Sequence, residues 1–241
     1  PLGFVGFVPL FFIFHRFSAT GKQTVILWLI WTLLLNLIGY HWIMHTIAVY
    51  GMMPQVVAFP LFLLYSLGTG GKMLLFFFFL RWMFRNTEVF HSTAVRTIAA
   101  AAAFGICELI GWQLFPWHGA NIVSGDLWFA QAADLIGTRG LSVIWVAVQF
   151  LLFEVYVQRQ QSKDSPLFRF LVFNRAAQLL LTLVIATHVY GAIQFSRFQT
   201  AEADAPGIIV GVPQGNVPLI TSYHERPYII SRMVAQTQRL I

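Results

Sequence analysis

Thr24-Val-Ile-Leu-Trp-Leu-Ile-Trp-Thr-Leu-Leu-Leu-Asn-Leu-Ile-Gly-Tyr-His-Trp-Ile43 runs for 20 residues without a charge. About 20 mostly apolar residues, rising about 1.5 Å each, cross the hydrocarbon core of a bilayer. The stretch therefore predicts a spanning helix. The same reading repeats on both sides of it, over Pro1–Phe14, Pro54 to about Leu80, Thr97–Phe115, Leu141–Val157 and Phe170–Phe195. These six segments predict an α-helical polytopic membrane domain over residues 1–200.

Composition agrees. Of 241 residues, 58% are hydrophobic and only 10% charged, where soluble domains carry about 25% charged residues. The mean hydropathy is +0.70 and the pI about 9.8. Basic residues lie in short groups between apolar segments, so the high pI reflects membrane topology and not a nucleic-acid-binding face. A single cysteine, Cys107, excludes an intrachain disulfide framework and any CxxC metal or redox motif.

The loops carry an orientation. Arg16, Lys22, Arg81, Arg85, Arg96, Arg159, Lys163 and Arg169 fall on one side of the six segments, and only Arg139 and Arg197 on the other. The positive-inside rule puts the first group in the cytoplasm. The outer loops are then Tyr40–Gly51, the loop Phe115–Phe129, and everything after the sixth segment. Trp, Tyr and His crowd the stretch Gly39–Pro54, as suits a membrane–water interface. Phe115–Phe129 mixes turn formers with Trp117 and Trp128, and reads as a loop that packs on the membrane surface or dips into it.

Ile208-Ile-Val-Gly-Val-Pro-Gln-Gly-Asn-Val-Pro218 has a different character. It reads as the first strand of a water-soluble domain over residues 207–241, too short to be a closed domain. Together with an opening at Pro1 already inside an apolar run, it predicts the membrane part of a larger protein, cut at both ends.

Few side chains suggest chemistry. Glu108, mid-segment, is expected to face a cavity or a partner, or to hydrogen-bond a neighbouring helix. Lys72 either snorkels to a boundary or pairs with Glu108. Cys107 lacks a neighbouring His or other thiolate-stabilising group and reads as a packing residue. His41 and His45 share a helix face but lack a third ligand at useful spacing, so no metal site is expected. Gly68-Thr-Gly-Gly-Lys72 lacks the spacing and preceding strand of a phosphate loop.

In order along the chain, five motifs resemble the apolipoprotein N-acyltransferase family. Pro1-Leu-Gly-Phe-Val-Gly-Phe-Val-Pro-Leu10 is similar to that family's second membrane helix. Gly39-Tyr-His-Trp42 with Tyr50-Gly-Met-Met-Pro54 resembles its aromatic segment. Cys107-Glu-Leu-Ile-Gly-Trp-Gln-Leu-Phe-Pro-Trp117 resembles its Glu and Phe-Pro-Trp stretch, and Gln131-Ala-Ala-Asp-Leu-Ile-Gly-Thr-Arg-Gly-Leu-Ser142 its next motif. Pro213-Gln-Gly-Asn-Val-Pro218 resembles the strand that opens its nitrilase-like domain. Leu114 replaces a usual Gly, the Arg common after the Glu motif is absent, and Pro213 stands at a usually apolar position.

The resemblance implies an α/β nitrilase-like (carbon-nitrogen hydrolase) domain after the helices, on the periplasmic face of the bacterial inner membrane. It implies a Glu–Lys–Cys triad in that domain, beyond Ile241. The Cys thiolate would take an acyl chain from a phospholipid as a thioester and pass it to the α-amino group of a diacylglyceryl-cysteine on an apolipoprotein. No catalytic residue and no cofactor is then expected in this chain, and Cys107 does not match the nucleophile. The membrane part would contact bilayer lipids and both lipid substrates. Trp117 is the leading candidate to line their site, with Glu108, His118, Trp42 and Trp128 as further candidates. Gln214 and Asn216 are assigned to stabilising the soluble fold. The alternative is a catalytically inactive paralogue or lipid-binding membrane subunit. A transporter would show inverted repeats with matching broken helices, and none is found.

Overall fold

In lipid, apolar side chains face outward freely while polar groups must find partners inside. Helix α2 (Gly21–Gly39) follows this closely. Its buried residues are Thr24, Thr32 and Asn36, whereas Ile30, Leu34, Leu37 and Ile38 are exposed. A capping box starts it, with Thr20 Oγ1 accepting from Gln23 N and Gln23 Oε1 from Thr20 N. The computed structural model to which these elements belong describes residues 2–17, 20–115, 117–162, 166–204, 207 and 226–238.

In chain order, α1 (Val8–Arg16) precedes α2, and α3 (Trp42–Val49) follows it. Then come α4 (Gln55–Arg85), α5 (Thr93–Ile110), the short α6 (Leu127–Gln131), α7 (Ala133–Gln161), α8 (Leu167–Phe173), α9 (Arg175–Asp204) and α10 (Arg226–Gln238). Among the described residues, five helices (α2, α4, α5, α7 and α9) are long and apolar enough to cross a membrane. The protein is a mostly helical, polytopic membrane protein.

Local chemistry explains where these bounds depart from the six expected segments. The first segment is a 3-10 turn at Leu2–Phe4 and then the nine-residue α1, whose first turn holds Pro9. Proline is suited to open a helix and not to continue one. Ser92 caps α5, which starts four residues before the expected Thr97, accepting from Val95 N, and the helix stops at Gly111, short of Phe115. The last segment is divided at Asn174, whose Oδ1 accepts from Ala177 N at 3.0 Å and so starts α9. At Gly137 α7 kinks, with φ +68° and ψ 173°, a conformation that favours glycine. Among the described residues there is no β-strand. The strand expected at Ile208–Val212, with Gln214 and Asn216, lies outside the described residues.

An aromatic core holds α1 among α4, α5 and α7. Phe7 packs on Trp145 and Phe104 with ring centroids 5.0 and 5.5 Å apart, and Phe11 on Phe150 at 5.1 Å. Such pairs add about 0.5–1.5 kcal/mol beyond area burial. Two polar contacts join the entry of α1 to α7. Gln149 Oε1 accepts from Phe7 N at 2.6 Å, and Trp145 Nε1 donates to the Gly3 carbonyl at 2.8 Å.

Helices α2 and α4 approach closely because Gly70 has no side chain. A Cβ there would collide with Thr32, and Trp28 Nε1 donates to the Gly70 carbonyl at 2.7 Å. At the opposite end of α5 from Glu108, Arg96 forms a two-pronged ion pair with Glu154 of α7, at 2.7 and 2.9 Å. Thr93 and Gln158 also donate to that carboxylate, and Asn174 donates to Gln158. This network clamps α5, α7 and the start of α9.

Candidate functional site

The segment after α5 cannot continue as a helix. Gly111 takes extended backbone angles, and the chain turns back toward the bundle. A 3-10 turn at Gly119–Val123 follows, in which Gly119, Ala120 and Val123 are buried. Two side chains tie it down. Glu108 Oε1 accepts from Gly119 N at 2.6 Å, and Ser142 Oγ accepts from Ala120 N at 3.1 Å. Gly119 fits because an added Cβ would lie 2.9 Å from Trp145 and 3.1 Å from Phe104. The middle of the loop that the sequence placed on or in the membrane surface is thus packed between α5 and α7, while Phe115, Ile122, Leu127 and Trp128 stay exposed.

Its return closes a cavity of about 120 Å³. The floor is apolar, made by Phe7, Trp31, Met73, Phe104 and Trp145. Leu114 and Phe115, both exposed, stand at its edge. Polar side chains enter from three directions. Thr32, Asn36 and Tyr40 come from α2 and its end, Tyr65, Thr69 and Lys72 from α4, and Glu108 and Gln113 from α5 and the loop. With its amide oxygen turned toward Lys72, Gln113 accepts from Nζ at 2.8 Å and donates to the Trp117 carbonyl at 3.0 Å. Tyr40 lies just beyond α2. Burial, and secondarily the nearby Tyr65, pushes its hydroxyl above the usual tyrosine range, so it meets the cavity as a neutral donor.

This end of the bundle is under-satisfied. Thr32 Oγ1, Glu108 Oε2 and His118 Nδ1 are buried without a hydrogen-bond partner. The last two are 3.5 Å apart, without hydrogen-bond geometry. An unpaired buried polar group costs about 1–3 kcal/mol, and a cluster of them in one place marks an unusual local arrangement.

The structure brings together Trp117, Glu108 and His118. Trp117 lines the cavity edge-on to Tyr40, with centroids 6.2 Å apart, and Glu108 borders it with His118 beside. Lys72 and Glu108 share the cavity, but Lys72 is bonded to Gln113. Trp42 and Trp128 do not line it. Trp42, about half exposed, packs on Phe115, and Trp128 rides on α6, its backbone against Gly191 of α9. Cys107 is buried in the aromatic core. His41 Nδ1 lies 3.2 Å from the Ile38 carbonyl, and the described residues hold no group of three metal-ligating side chains. Gly68–Lys72 is helical, inside α4.

Thr32, Asn36, Tyr40, Tyr65 and Gln113 were not anticipated as site residues. The signal for three of them was present, since Thr32, Asn36 and Tyr40 recur every four residues along an otherwise apolar helix.

These features define a multi-pass helical membrane protein with a cluster of inward polar groups around a cavity at one end of the bundle. A family model described as the apolipoprotein N-acyltransferase N-terminal domain matches residues 1–151. The chain belongs to the apolipoprotein N-acyltransferase family. It is 28% identical over 183 residues to apolipoprotein N-acyltransferase 1 of Leptospira interrogans serovar Lai, covering 75% of this chain and 29% of that protein. It is 28% identical over 189 residues to apolipoprotein N-acyltransferase 2 of serovar copenhageni, covering 76% and 30%. Apolipoprotein N-acyltransferase 1 of serovar copenhageni is 30% identical over 156 residues, covering 64% and 27%. The matched part thus spans less than a third of these curated relatives. No solved structure matches the chain. With bacterial relatives and five apolar helices, it is a multi-pass bacterial membrane protein of enzymatic lineage.

Proposed function

We propose that this chain is the membrane part of an apolipoprotein N-acyltransferase, supplying lipid binding to a catalytic domain whose triad lies outside it. In the proposed reaction a thiolate attacks the ester carbonyl of a phospholipid. The carbon–oxygen bond breaks, lysophospholipid leaves, and the acyl chain remains as a thioester. The amino group of a diacylglyceryl-cysteine then attacks that carbonyl. The amide forms, the thiolate departs, and the amine loses a proton to a base. The acceptor lipoprotein and the catalytic domain are placed on the periplasmic side, following the asymmetry of basic loops.

The observation that carries this reading is the cavity itself. An apolar floor suits an acyl chain, and polar groups at Lys72, Gln113, Tyr40 and Trp117 sit where a lipid's ester region would follow. Among these, Trp117 is proposed to line the lipid path, with Glu108 and His118 shaping it from behind. Trp42 and Trp128 anchor the interface.

The test uses the full-length protein, reconstituted with phospholipid and a diacylglyceryl-cysteine peptide. Trp117→Ala is expected to raise KM for phospholipid about tenfold, as loss of a stacking aromatic in a binding site does, with the protein still folded. Unchanged kinetics would remove Trp117 from the lipid path. The isolated 241-residue chain should form no acyl-thioester. Detecting one on Cys107 would overturn the assignment of the triad elsewhere.

A further inference from the structure

Asp126 and His188 meet at the end of the bundle that carries the cavity, without lining it. Asp126 starts the short α6, its Oδ1 accepting from Phe129 N at 3.0 Å, and His188 lies within α9. His188 Nδ1 is 2.8 Å from the Val184 carbonyl, and Nε2 is 3.0 Å from Asp126 Oδ2. Both ring nitrogens therefore face acceptors, whereas a neutral imidazole carries only one N–H. A carbonyl cannot donate, so the hydrogen opposite Val184 sits on Nδ1. The contact with Asp126 then needs a second hydrogen between Nε2 and the carboxyl group. Imidazolium with carboxylate supplies it, and so does neutral imidazole with a carboxylic acid. Without that proton, lone pairs face each other at hydrogen-bond distance.

The proton holds more than one pair of side chains. Helix α6 lies against α9, and the Trp128 backbone fills the space that a Cβ on Gly191 would need. Phe129 is buried near the His188 ring, and Phe4 packs edge-on to it with centroids 5.3 Å apart. Asp126 N donates to the Val123 carbonyl at 2.9 Å, which ties α6 to the 3-10 turn at Gly119–Val123. Ile122 of that turn lines the cavity.

The neighbouring titratable groups are engaged elsewhere. Asp134 of α7 accepts from Tyr190 Oη at 2.8 Å, and Arg139 of α7 lines a polar hollow with Glu108 of α5 and His118. At the far end of the bundle Glu154 of α7 pairs with Arg96 of α5, and Arg159 of α7 lies over the Phe170 ring of α8. On α9 itself, Arg175 and Arg197 are more than about two turns from His188. Asp126 is the charged group that meets this imidazole.

We propose that Asp126 and His188 form a proton-dependent clasp that holds α6, and with it the rim of the cavity, against α9. The clasp is closed while the pair keeps its shared proton, and it opens as rising pH removes that proton. It bounds the cavity whatever enters there, and so is independent of the acyltransferase reading.

Hydrogen exchange of the full-length protein in detergent, read by mass spectrometry, follows residues 127–132 at about pH 6 and about pH 9, which bracket histidine titration. Rates are divided by those of an unstructured peptide at the same pH. In the wild type, protection of this segment should fall at least about tenfold at the higher pH, the size of one charge-assisted hydrogen bond. Residues 93–100 of α5, at the far end, should keep theirs. His188→Gln, whose amide donates at either pH, should lose the pH dependence. Asp126→Asn should reverse it, because the Asn amide keeps its oxygen on Phe129 N, donates to a neutral Nε2 and is opposed by a protonated one. Wild-type protection that does not change with pH overturns the proposal, whether or not the variants fold. So does an equal fall at residues 93–100, which would mark a general loosening of the bundle. An undiminished fall in His188→Gln or in Asp126→Asn overturns it as well, since the titrating group would then lie elsewhere.

Discussion

Helices α5 and α7 carry polar clusters at both ends, and the two clusters follow opposite rules. At one end every partner of Glu154 is in place, with Arg96, Thr93 and Gln158 all donating to one carboxylate. Twelve residues along α5, about 18 Å away at 1.5 Å per residue, Glu108 has one oxygen bonded and one bare. The same helix pair thus presents a closed network and an open one. A closed network rigidifies a bundle, whereas an open one keeps buried groups available to a ligand at a continuing cost in stability.

That contrast can be broken by mutation. The largest effect is expected at the closed end. Arg96→Ala leaves the Glu154 carboxylate without its ion partner and should lower stability by about 3–5 kcal/mol, read from SDS-driven unfolding in mixed micelles. Changing both partners, Arg96→Gln with Glu154→Gln, should recover at least half of that loss. Next is Gly119→Val, which pushes a side chain toward Trp145 and Phe104 and should cost about 1–3 kcal/mol by overpacking. Because it also lifts the loop off α5, phospholipid affinity should fall with it. If stability falls and lipid affinity does not, the loop plays no part in binding.

Smaller effects sharpen the comparison at the open end. Glu108→Gln keeps an oxygen for Gly119 N and should change stability by no more than about 1 kcal/mol, while lowering acyl transfer by the full-length protein. A loss as large as that of Arg96→Ala would mean that the two ends are not different in kind. Thr32→Val removes a buried hydroxyl that has no partner. Stability should hold or rise, by no more than about 1 kcal/mol. A clear fall would show that Thr32 Oγ1 is satisfied in a way the open-end reading omits.

Much of the fold was legible in composition because lipid imposes a simple demand, about 20 apolar residues per crossing. The exceptions are instructive. Asn174 divides the last apolar segment by capping α9 with its own side chain, and a hydropathy reading averages over such a residue. Pro9 delays the start of α1 for a similar reason. The site was harder to see. Trp117 and Glu108 stood out as an aromatic and a charge in unusual places, and both border the cavity. The stripe Thr32, Asn36 and Tyr40 was hidden by being mild. In a membrane helix such residues are tolerated singly, and only their four-residue spacing shows that they share one face. Gln113 could not be read at all, because its place beside Lys72 depends on the loop returning between α5 and α7.

The contacts between the first helix and α7 have a consequence in time. Gly3 and Phe7 are fastened to Trp145 and Gln149, partners that leave the ribosome 142 residues later. At roughly 5–20 residues per second, α1 waits about 7–28 s for the helix that holds it. Until then the Phe7 amide and the Gly3 carbonyl must find water or other partners, and α1 takes its place in the bundle only once α7 has arrived.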